Sequence, residues 1–304
     1  MSTPKKQQIV LFASELAALV GENPYQPLKK SWAKQCQKLC GDPADANLKE
    51  ADIFVDLKND LLPVKSDREI IDQITTTYDI RLPAPSFQEK VASVNDGAAE
   101  TSETKRGATV EELNNDTASQ LAAVDGCAAL AQNPELKQVL EKAVRSQLQK
   151  DFGTQEESSV AKQAEVVLNT TIEKSDRFVK RKLFETERFA WFLGGRVDGV
   201  TQDGEVVEIK NRVCRLFYEV RRYELIQMLA YLFIHQKSAG YLVEGFKRGG
   251  DQRQIQLDFE LIYFCDHEHD WECNIKAKLV SICTMFDHSG ALQNPLLFLE
   301  SLSL

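Results

Sequence analysis

The chain has 304 residues, and 43% of them are hydrophobic, which is enough for one large globular domain or two smaller ones. It carries 46 acidic and 37 basic residues, and the formal net charge of −9 excludes a protein that coats DNA through an overall positive surface. Seven cysteines without a Cys-x-x-Cys pair favour reduced thiols and an intracellular location. The absence of any apolar run of about 18 residues predicts no membrane span.

The N-terminal part of the sequence predicts helices. The first is expected over residues 13–20, with Ser14 as its N-terminal cap and Gly21 as its stop. Two more are expected over residues 27–40 and 66–80.

The composition changes from about residue 84, where Ala, Ser, Thr and acidic residues replace the large apolar ones. Such a segment buries too little surface to offset its ordering entropy, so we expect a flexible insertion or linker. Helical periodicity returns over residues 134–150. It appears again at 157–168, after the segment Gly153-Thr154-Gln155-Glu156-Glu157, which is interpreted as the start of that helix.

The second half of the chain changes to the period of strands. Residues 188–193 and 196–201 alternate apolar and polar side chains, and Asp203-Gly204 is a hairpin signal after which residues 205–210 follow as a second strand. The later expected elements are a strong helix over 218–236, strands over 240–246 and 256–265, and a helix over 270–286. This order predicts an α/β or α+β fold with a mixed central sheet flanked by helices.

Three charged residues on the predicted hairpin form a candidate catalytic centre. Glu208 and Lys210 are two apart on one strand, so both side chains leave the same face, and the turn can bring Asp198 to that face. The carboxylates, with the Ile209 carbonyl between them, offer the oxygen ligands that Mg²⁺ prefers, and Mn²⁺ is expected to substitute for it. The alternative is a surface hairpin that carries a salt bridge.

Two further polar positions accompany this hairpin. Gln227 interrupts the apolar stripe of the following helix and shares one helical face with Tyr231. It is either a satisfied core glutamine or a group that hydrogen-bonds near the metal site or a DNA phosphate. Glu157 is either a carboxylate that suits the positive end of its helix or part of the site.

These motifs, in this order, resemble a known family. GRVDG, VEIKN and a helix with Q-x-x-x-Y resemble the PD-(D/E)xK nuclease superfamily in its RecB-like branch. The segment Phe12-Ala13-Ser14-Glu15 to Tyr25 and the motif GTQEE are similar to the lambda-exonuclease-like, YqaJ-type viral recombinases. The resemblance covers residues 8–40 and about 145–265.

The resemblance implies a restriction-endonuclease-like core in which Asp198, Glu208 and Glu157 bind metal, Lys210 is the catalytic lysine and Gln227 is the helix glutamine. It implies that Ser14 lies near a terminal phosphate, but neither Lys5 nor Lys6 aligns cleanly with the family's basic residue. The other expected nucleic-acid contacts are Lys6, Arg196, Arg212 and Tyr231. Residues 174–250 carry 15 basic and 10 acidic residues, a balance of +5, which supports a basic rim around the site.

We therefore expect an N-terminal helical part over 1–83, an insertion over 84–130, a nuclease core over 131–290 and an apolar tail over 291–304, docked or used for association. The expected activity is a Mg²⁺-dependent deoxyribonuclease, an exonuclease on duplex DNA ends in recombination, repair or viral DNA processing. The alternatives are an endonuclease acting on flaps, branches or RNA, and a non-catalytic nucleic-acid-binding protein. The resemblance also implies a single-strand annealing protein as partner, a homo-oligomer, and host cytoplasm or nucleus as location if the source is viral.

Overall fold

The computed structural model of the chain describes residues 6–40, 66–86, 110–247 and 255–302. The strands in these residues are β1 Gln7–Phe12, β2 Ile172–Lys174, β3 Val179–Glu185, β4 Phe189–Gly195, β5 Gly199–Thr201, β6 Val206–Arg212, β7 Ala239–Lys247 and β8 Ile255–Tyr263. The helices are α1 Leu16–Leu19, α2 Leu28–Cys40, α3 Asp67–Tyr78, α4 Val110–Asp125, α5 Ala128–Ala131, α6 Pro134–Leu168, α7 Arg222–His235, α8 Glu268–Asp270, α9 Ala277–His288 and α10 Pro295–Ser301, with a π-helical turn at Trp271–Lys276.

The strands form two sheets. One has the order β1-β4-β3, in which β1 runs parallel and β3 antiparallel to β4. The other has the order β2-β5-β6-β7-β8, in which β6 and β7 are parallel and the remaining pairs are antiparallel. The predicted mixed α/β class is confirmed, although a single central sheet was expected.

The five-stranded sheet lies between two helices. Val207 and Ile209 of β6 pack with Val160 of α6, while Val206 and Leu242 belong to the core that contains α7. Side chains alternate along a strand, so Glu208 and Lys210 share the face of Val206. This arrangement directs both charged side chains towards α7.

The N-terminal segment differs from its prediction. Residues 7–12 form a strand that was not predicted, and the expected helix over 13–20 is a 3₁₀ turn at Ala13–Glu15 followed by a single α-helical turn. The Ser14 side chain caps neither of them. Pairing of β1 with the buried strand β4 explains the difference, because tertiary contacts outweigh a local helical pattern.

The helix α6 also corrects the sequence analysis. Residues 134–150 and 157–168 belong to one continuous helix of 35 residues, so Gly153 does not begin a helix. Glu157 therefore lies in the interior of α6, and the dipole at a helix start does not account for it.

Gly153→Ala is expected to stabilise the protein by about 0.5–1 kcal/mol, because glycine is a poor residue in a helix interior. Among the described residues, a Cβ added at this position meets no atom of another element within 4 Å. Urea unfolding at equilibrium measures the change in the free energy of unfolding. A destabilised variant would contradict a continuous helix at residue 153.

The prediction of a flexible insertion over residues 84–130 is wrong from Val110 onward. Helices α4 and α5 occupy this part, and Leu113, Val124 and Leu130 are buried in a cluster with residues of α3 and α6. Residues 87–109 lie outside the described part of the chain.

The apolar tail is docked, since Phe298 of α10 is fully buried against Trp32 of α2. In the ranges that the structure describes, no helix combines the length and apolar character needed to cross a membrane.

Candidate active site

A tight hairpin places the first carboxylate. The turn between β5 and β6 is closed by a bond from the Gly204 N–H to the Thr201 carbonyl, and Gly204 has φ +83°, as the predicted Asp-Gly turn requires. Gly199 pairs with Val207, so the next antiparallel position puts Asp198 opposite Glu208. Asp198 Oδ2 accepts a hydrogen bond of 2.7 Å from the Ile209 N–H.

A hydrogen-bonded set joins β6 to α7. Lys210 Nζ donates to Glu208 Oε1 at 2.6 Å and to Gln227 Oε1 at 3.1 Å. Gln227 Nε2 donates to Glu208 Oε1 at 2.7 Å and to the Tyr231 hydroxyl at 3.2 Å. The amide of Gln227 thus fixes the positions of both charged groups. Its role at a metal site or a DNA phosphate stays a prediction.

A glycine on β4 makes room for the tyrosine of this set. A Cβ at Gly195 would stand only 2.7 Å from Cε1 of Tyr231. Tyr231 is buried, and its hydroxyl accepts the second hydrogen bond of the Gln227 amide. The GRVDG motif therefore serves two purposes, since its first residue admits Tyr231 and Asp198 faces Glu208.

Burial governs the protonation of the cluster. It raises the pKa of Glu208 to about 7 against the attraction of Lys210, and it also raises the pKa of Asp198. For Lys210, burial opposes the charge, but Glu208 and Asp198 outweigh it, so the pKa of the ammonium is raised. The site therefore holds a charged lysine among carboxylates that compete for protons near neutral pH.

Glu157 joins the site from α6. Burial, followed by the charge of Asp198, raises the pKa of Glu157 to about 7, while Lys174 and Lys210 act in the opposite direction. Asn211 Nδ2 donates to the Gly153 carbonyl at 2.5 Å and fastens α6 to β6 one helical turn before Glu157. Lys174 was not singled out by the sequence analysis; it pairs with Gly199 across β2 and β5 and so stands beside Asp198.

Without divalent metal, the protein is expected to lose stability as the pH rises from 5.5 to 8. Glu157 and Glu208 have folded-state pKa values of about 7, above the value of about 4.5 for an unfolded glutamate. The stability that their protonation contributes to the folded state is therefore fully present below pH 4.5 and is lost as the pH rises through 7. Urea unfolding in EDTA at both pH values measures the loss.

Glu157→Gln should reduce this loss, and the matched control Glu260→Gln, at an exposed position on β8, should not. An unchanged pH dependence in Glu157→Gln would contradict the raised pKa. Binding of a divalent cation should release protons from the same carboxyls.

The donor set fits a hard divalent cation. Glu208 Oε2 is buried and has no hydrogen-bond partner in the described residues, although a buried carboxylate oxygen normally has one. The Ile209 N–H points to Asp198. Because the N–H and the carbonyl of one strand residue point to the same edge of the strand, the Ile209 carbonyl also faces Asp198. In the described ranges, no group of three or more His, Cys, Asp or Glu side chains is arranged to hold a metal ion by itself. Mg²⁺ does not require one, since it binds through one or two carboxylates and keeps several waters.

Two of the predicted nucleic-acid contacts, Arg212 and Lys6, do not lie on an open surface next to this cluster. The Arg212 side chain is only 11% exposed and is held by Glu224 and Glu244, so its prediction as a DNA contact is wrong. Sequence reasoning missed this network because its carboxylates come from α7 and β7. Lys6 bonds to Glu185 and the Thr186 carbonyl at the start of β4, about 20 Å of strand away from Gly195.

Three expected contacts remain. Tyr231 is buried and hydrogen-bonds to Gln227, so it does not present a surface to DNA, whereas Ser14 and Arg196 are both exposed. Ser14 follows β1, which runs beside β4 and ends with it, since Phe12 pairs with Gly194. Arg196 lies two residues before Asp198. Both side chains are therefore free to meet a ligand at the end of β4 nearest the cluster, and their role stays a prediction.

No protein-family model matches the sequence, and no curated protein is similar to it. Among solved structures, the chain is similar to an alkaline exonuclease from Laribacter hongkongensis, with 14% identity, coverage of 46% of this chain and 71% of that chain, and a TM-score of 0.34. The structure of this exonuclease in complex with dAMP matches with 14% identity, coverage of 66% and 88%, and a TM-score of 0.33. Likenesses this low support no conclusion about activity, so the function must be argued from the site itself.

Proposed function

We propose that the chain is a Mg²⁺-dependent deoxyribonuclease that acts as an exonuclease on the ends of duplex DNA. The observation that supports this proposal is the set of Glu208, Lys210 and Gln227 beside Asp198, in which one buried oxygen of Glu208 has no hydrogen-bond partner among the residues that the structure describes. A salt bridge on a surface hairpin would be exposed, whereas Glu208 is 4% exposed. Buried charges that are incompletely satisfied are typical of functional sites.

Asp198, Glu208 and the Ile209 carbonyl would hold the metal, with Glu157 beside them. Bound there, Mg²⁺ or Mn²⁺ supplies an activated water and a counter-charge for the leaving oxygen of a phosphodiester. Lys210 carries the positive charge that would neutralise the phosphate oxygens and orient the attacking water. Gln227 keeps the Lys210 ammonium within reach of Glu208, so the charge is in place before the substrate arrives.

The exonuclease assignment has a different basis from the metal chemistry. It follows from the resemblance of the motifs to lambda-exonuclease-like proteins, as do a single-strand annealing partner, self-association and a role in recombination or repair. The geometry of the cluster is compatible with phosphodiester cleavage in general. An endonuclease of the same superfamily is therefore the second candidate.

The test uses linear and covalently closed circular duplex DNA with Mg²⁺ or with EDTA. We expect wild type to degrade linear DNA in Mg²⁺ and to leave the circle intact, because an exonuclease needs an end. Glu208→Gln keeps the size of the side chain and should lower the rate by about 100-fold or more. Glu260→Gln is the matched control on an exposed part of β8 and should behave as wild type.

Each other outcome corrects a defined part of the proposal. Cleavage of the circle would replace the exonuclease with an endonuclease. Cleavage of both substrates in EDTA would contradict the metal dependence. Neither cleavage nor calorimetric Mg²⁺ or Mn²⁺ binding would identify a non-catalytic nucleic-acid-binding protein.

A further inference from the structure

The three-stranded sheet has an exposed side that the catalytic proposal does not use. Ile9, Leu11, Trp191 and Leu193 are buried on one face of the sheet, which belongs to the main core. The opposite face, here called the outer face, carries Val10 and Phe12 of β1, Phe192 and Gly194 of β4, and Lys180 and Lys182 of β3, preceded by Phe178.

Aromatic rings occupy the end of the outer face that is closest to the active site. Phe12 and Phe178 are 37% and 40% exposed, and their rings meet edge to face with centroids 5.9 Å apart. Phe12 pairs with Gly194, from which the chain continues through Gly195 to Asp198. A core would bury such rings, so their joint exposure is a feature to explain.

Gly194 shapes this aromatic surface. A Cβ at Gly194 would lie 2.5 Å from the ring of Phe178, so only glycine at this point of β4 lets the ring lie across the strand. The Cζ end of the ring thus lies against Gly194, while 40% of the Phe178 residue is exposed. That is the form of a stacking platform.

Lysines surround the rings. Lys38 Nζ lies 4.9 Å from the centroid of Phe12, and Lys180 Nζ lies 5.0 Å from that of Phe192. The Lys182 side chain is 51% exposed. With Lys6 at the far edge, there are four lysines and two carboxylates; Glu15 pairs with Lys38, and Glu185 pairs with Lys6 and Lys182. Lys180 donates to the uncharged Gln8 side chain. This local excess of positive charge occurs in a chain whose net charge is −9.

We propose that the outer face binds single-stranded DNA, with bases stacked on Phe178 and Phe12 and phosphates held by Lys38, Lys180 and Lys182. Exposed rings can stack only on bases whose faces are free, as they are in a single strand and are not inside a duplex. The lysines provide the complementary charge for its backbone. The choice of DNA rests on the proposed function, whereas the site itself does not depend on cleavage.

The test measures anisotropy of a labelled oligothymidylate of about 15 nucleotides in EDTA, so that no strand is cut. Phe178→Ala should weaken binding by about 5- to 100-fold, the range for one stacked base. Phe178→Leu should weaken it similarly, because leucine keeps apolar bulk and loses the flat ring. Phe259→Ala is the matched control, since Phe259 on β8 is 41% exposed and lies on the other sheet.

A second readout tests the lysines. Lys180→Ala should reduce the steepness of the logarithmic salt dependence of binding by about 0.7, the value for one phosphate contact on a single strand. A blunt duplex of equal length should lose less than about twofold affinity in Phe178→Ala, since it presents no free base faces.

The outcomes separate this inference from the proposed nuclease. Equal binding of the oligothymidylate by wild type, Phe178→Ala and Phe178→Leu would overturn the stacking site whatever the cleavage assay shows. A loss in Phe178→Ala that Phe178→Leu restores would also overturn it, because the ring would then serve packing. If both variants lose binding while wild type cuts no DNA in Mg²⁺, the platform stands and the nuclease proposal fails.

Discussion

Lys210→Met is expected to lower the rate of DNA cleavage by about 10²- to 10³-fold, the cost of removing one preorganised charge donor from an active site. The ammonium makes two hydrogen bonds, to Glu208 and Gln227, and it forms an ion pair with Glu208. Without it, the negative cluster repels the phosphate, and in the described part of the chain only the Gln227 amide still donates to Glu208 Oε1. Digestion of linear duplex DNA under single-turnover conditions measures the effect.

Two controls accompany Lys210→Met. Lys276→Met removes a half-buried lysine that pairs with Glu272 one helical turn away, and it should leave the rate unchanged. Lys210→Arg keeps the charge but changes its shape and should restore only part of the activity. Full activity in Lys210→Met, with the protein folded by circular dichroism, would remove Lys210 from the mechanism.

Arg212→Met is expected to destabilise the protein by about 3–5 kcal/mol, the cost of leaving buried charges without their partner. The guanidinium bonds to Glu244 through Nε at 2.6 Å and to Glu224 through Nη2 at 2.9 Å, and both carboxylates are buried. Burial opposes the charge of Arg212, but the two carboxylates outweigh it and raise its pKa. Guanidinium unfolding at equilibrium measures the change in free energy.

The matched control for Arg212 is Arg222→Met. Arg222 pairs with Asp270, but its side chain is 40% exposed, so the loss should stay below about 1 kcal/mol. An Arg212→Met protein as stable as wild type and weakened in DNA binding would return Arg212 to the nucleic-acid contacts predicted from the sequence.

The sequence was sufficient to predict that Asp198, Glu208 and Lys210 lie together, because the determinants of this arrangement are local. Glu208 and Lys210 share a face through the period of two in a strand, and the Asp203-Gly204 turn brings Asp198 back beside them. Gln227 could be identified because an amide on an apolar helical stripe needs a partner. Each of these arguments spans at most about 30 residues of chain.

The parts that could not be predicted depend on distant contacts. Residues 13–19 have the periodicity of a helix, but the preceding residues pair with β4, which lies about 180 residues away. Gly153 suggested a helix boundary, yet α6 packs along β6 and is continuous across residue 153. The burial of Arg212 depends on Glu244, 32 residues later. Composition alone likewise could not show that Leu113 and Val124 find a core against α6.

Digestion of linear duplex DNA in Mg²⁺ by wild type, Glu208→Gln, Lys210→Met and Lys276→Met tests the central claim most directly. The claim is that Asp198, Glu208 and Lys210 form a metal-dependent centre for phosphodiester cleavage. It predicts rapid loss of DNA with wild type and Lys276→Met, none in EDTA, and rates at least about 100-fold lower for the two site variants. Equal rates for all four proteins, or undiminished cleavage in EDTA, would contradict it.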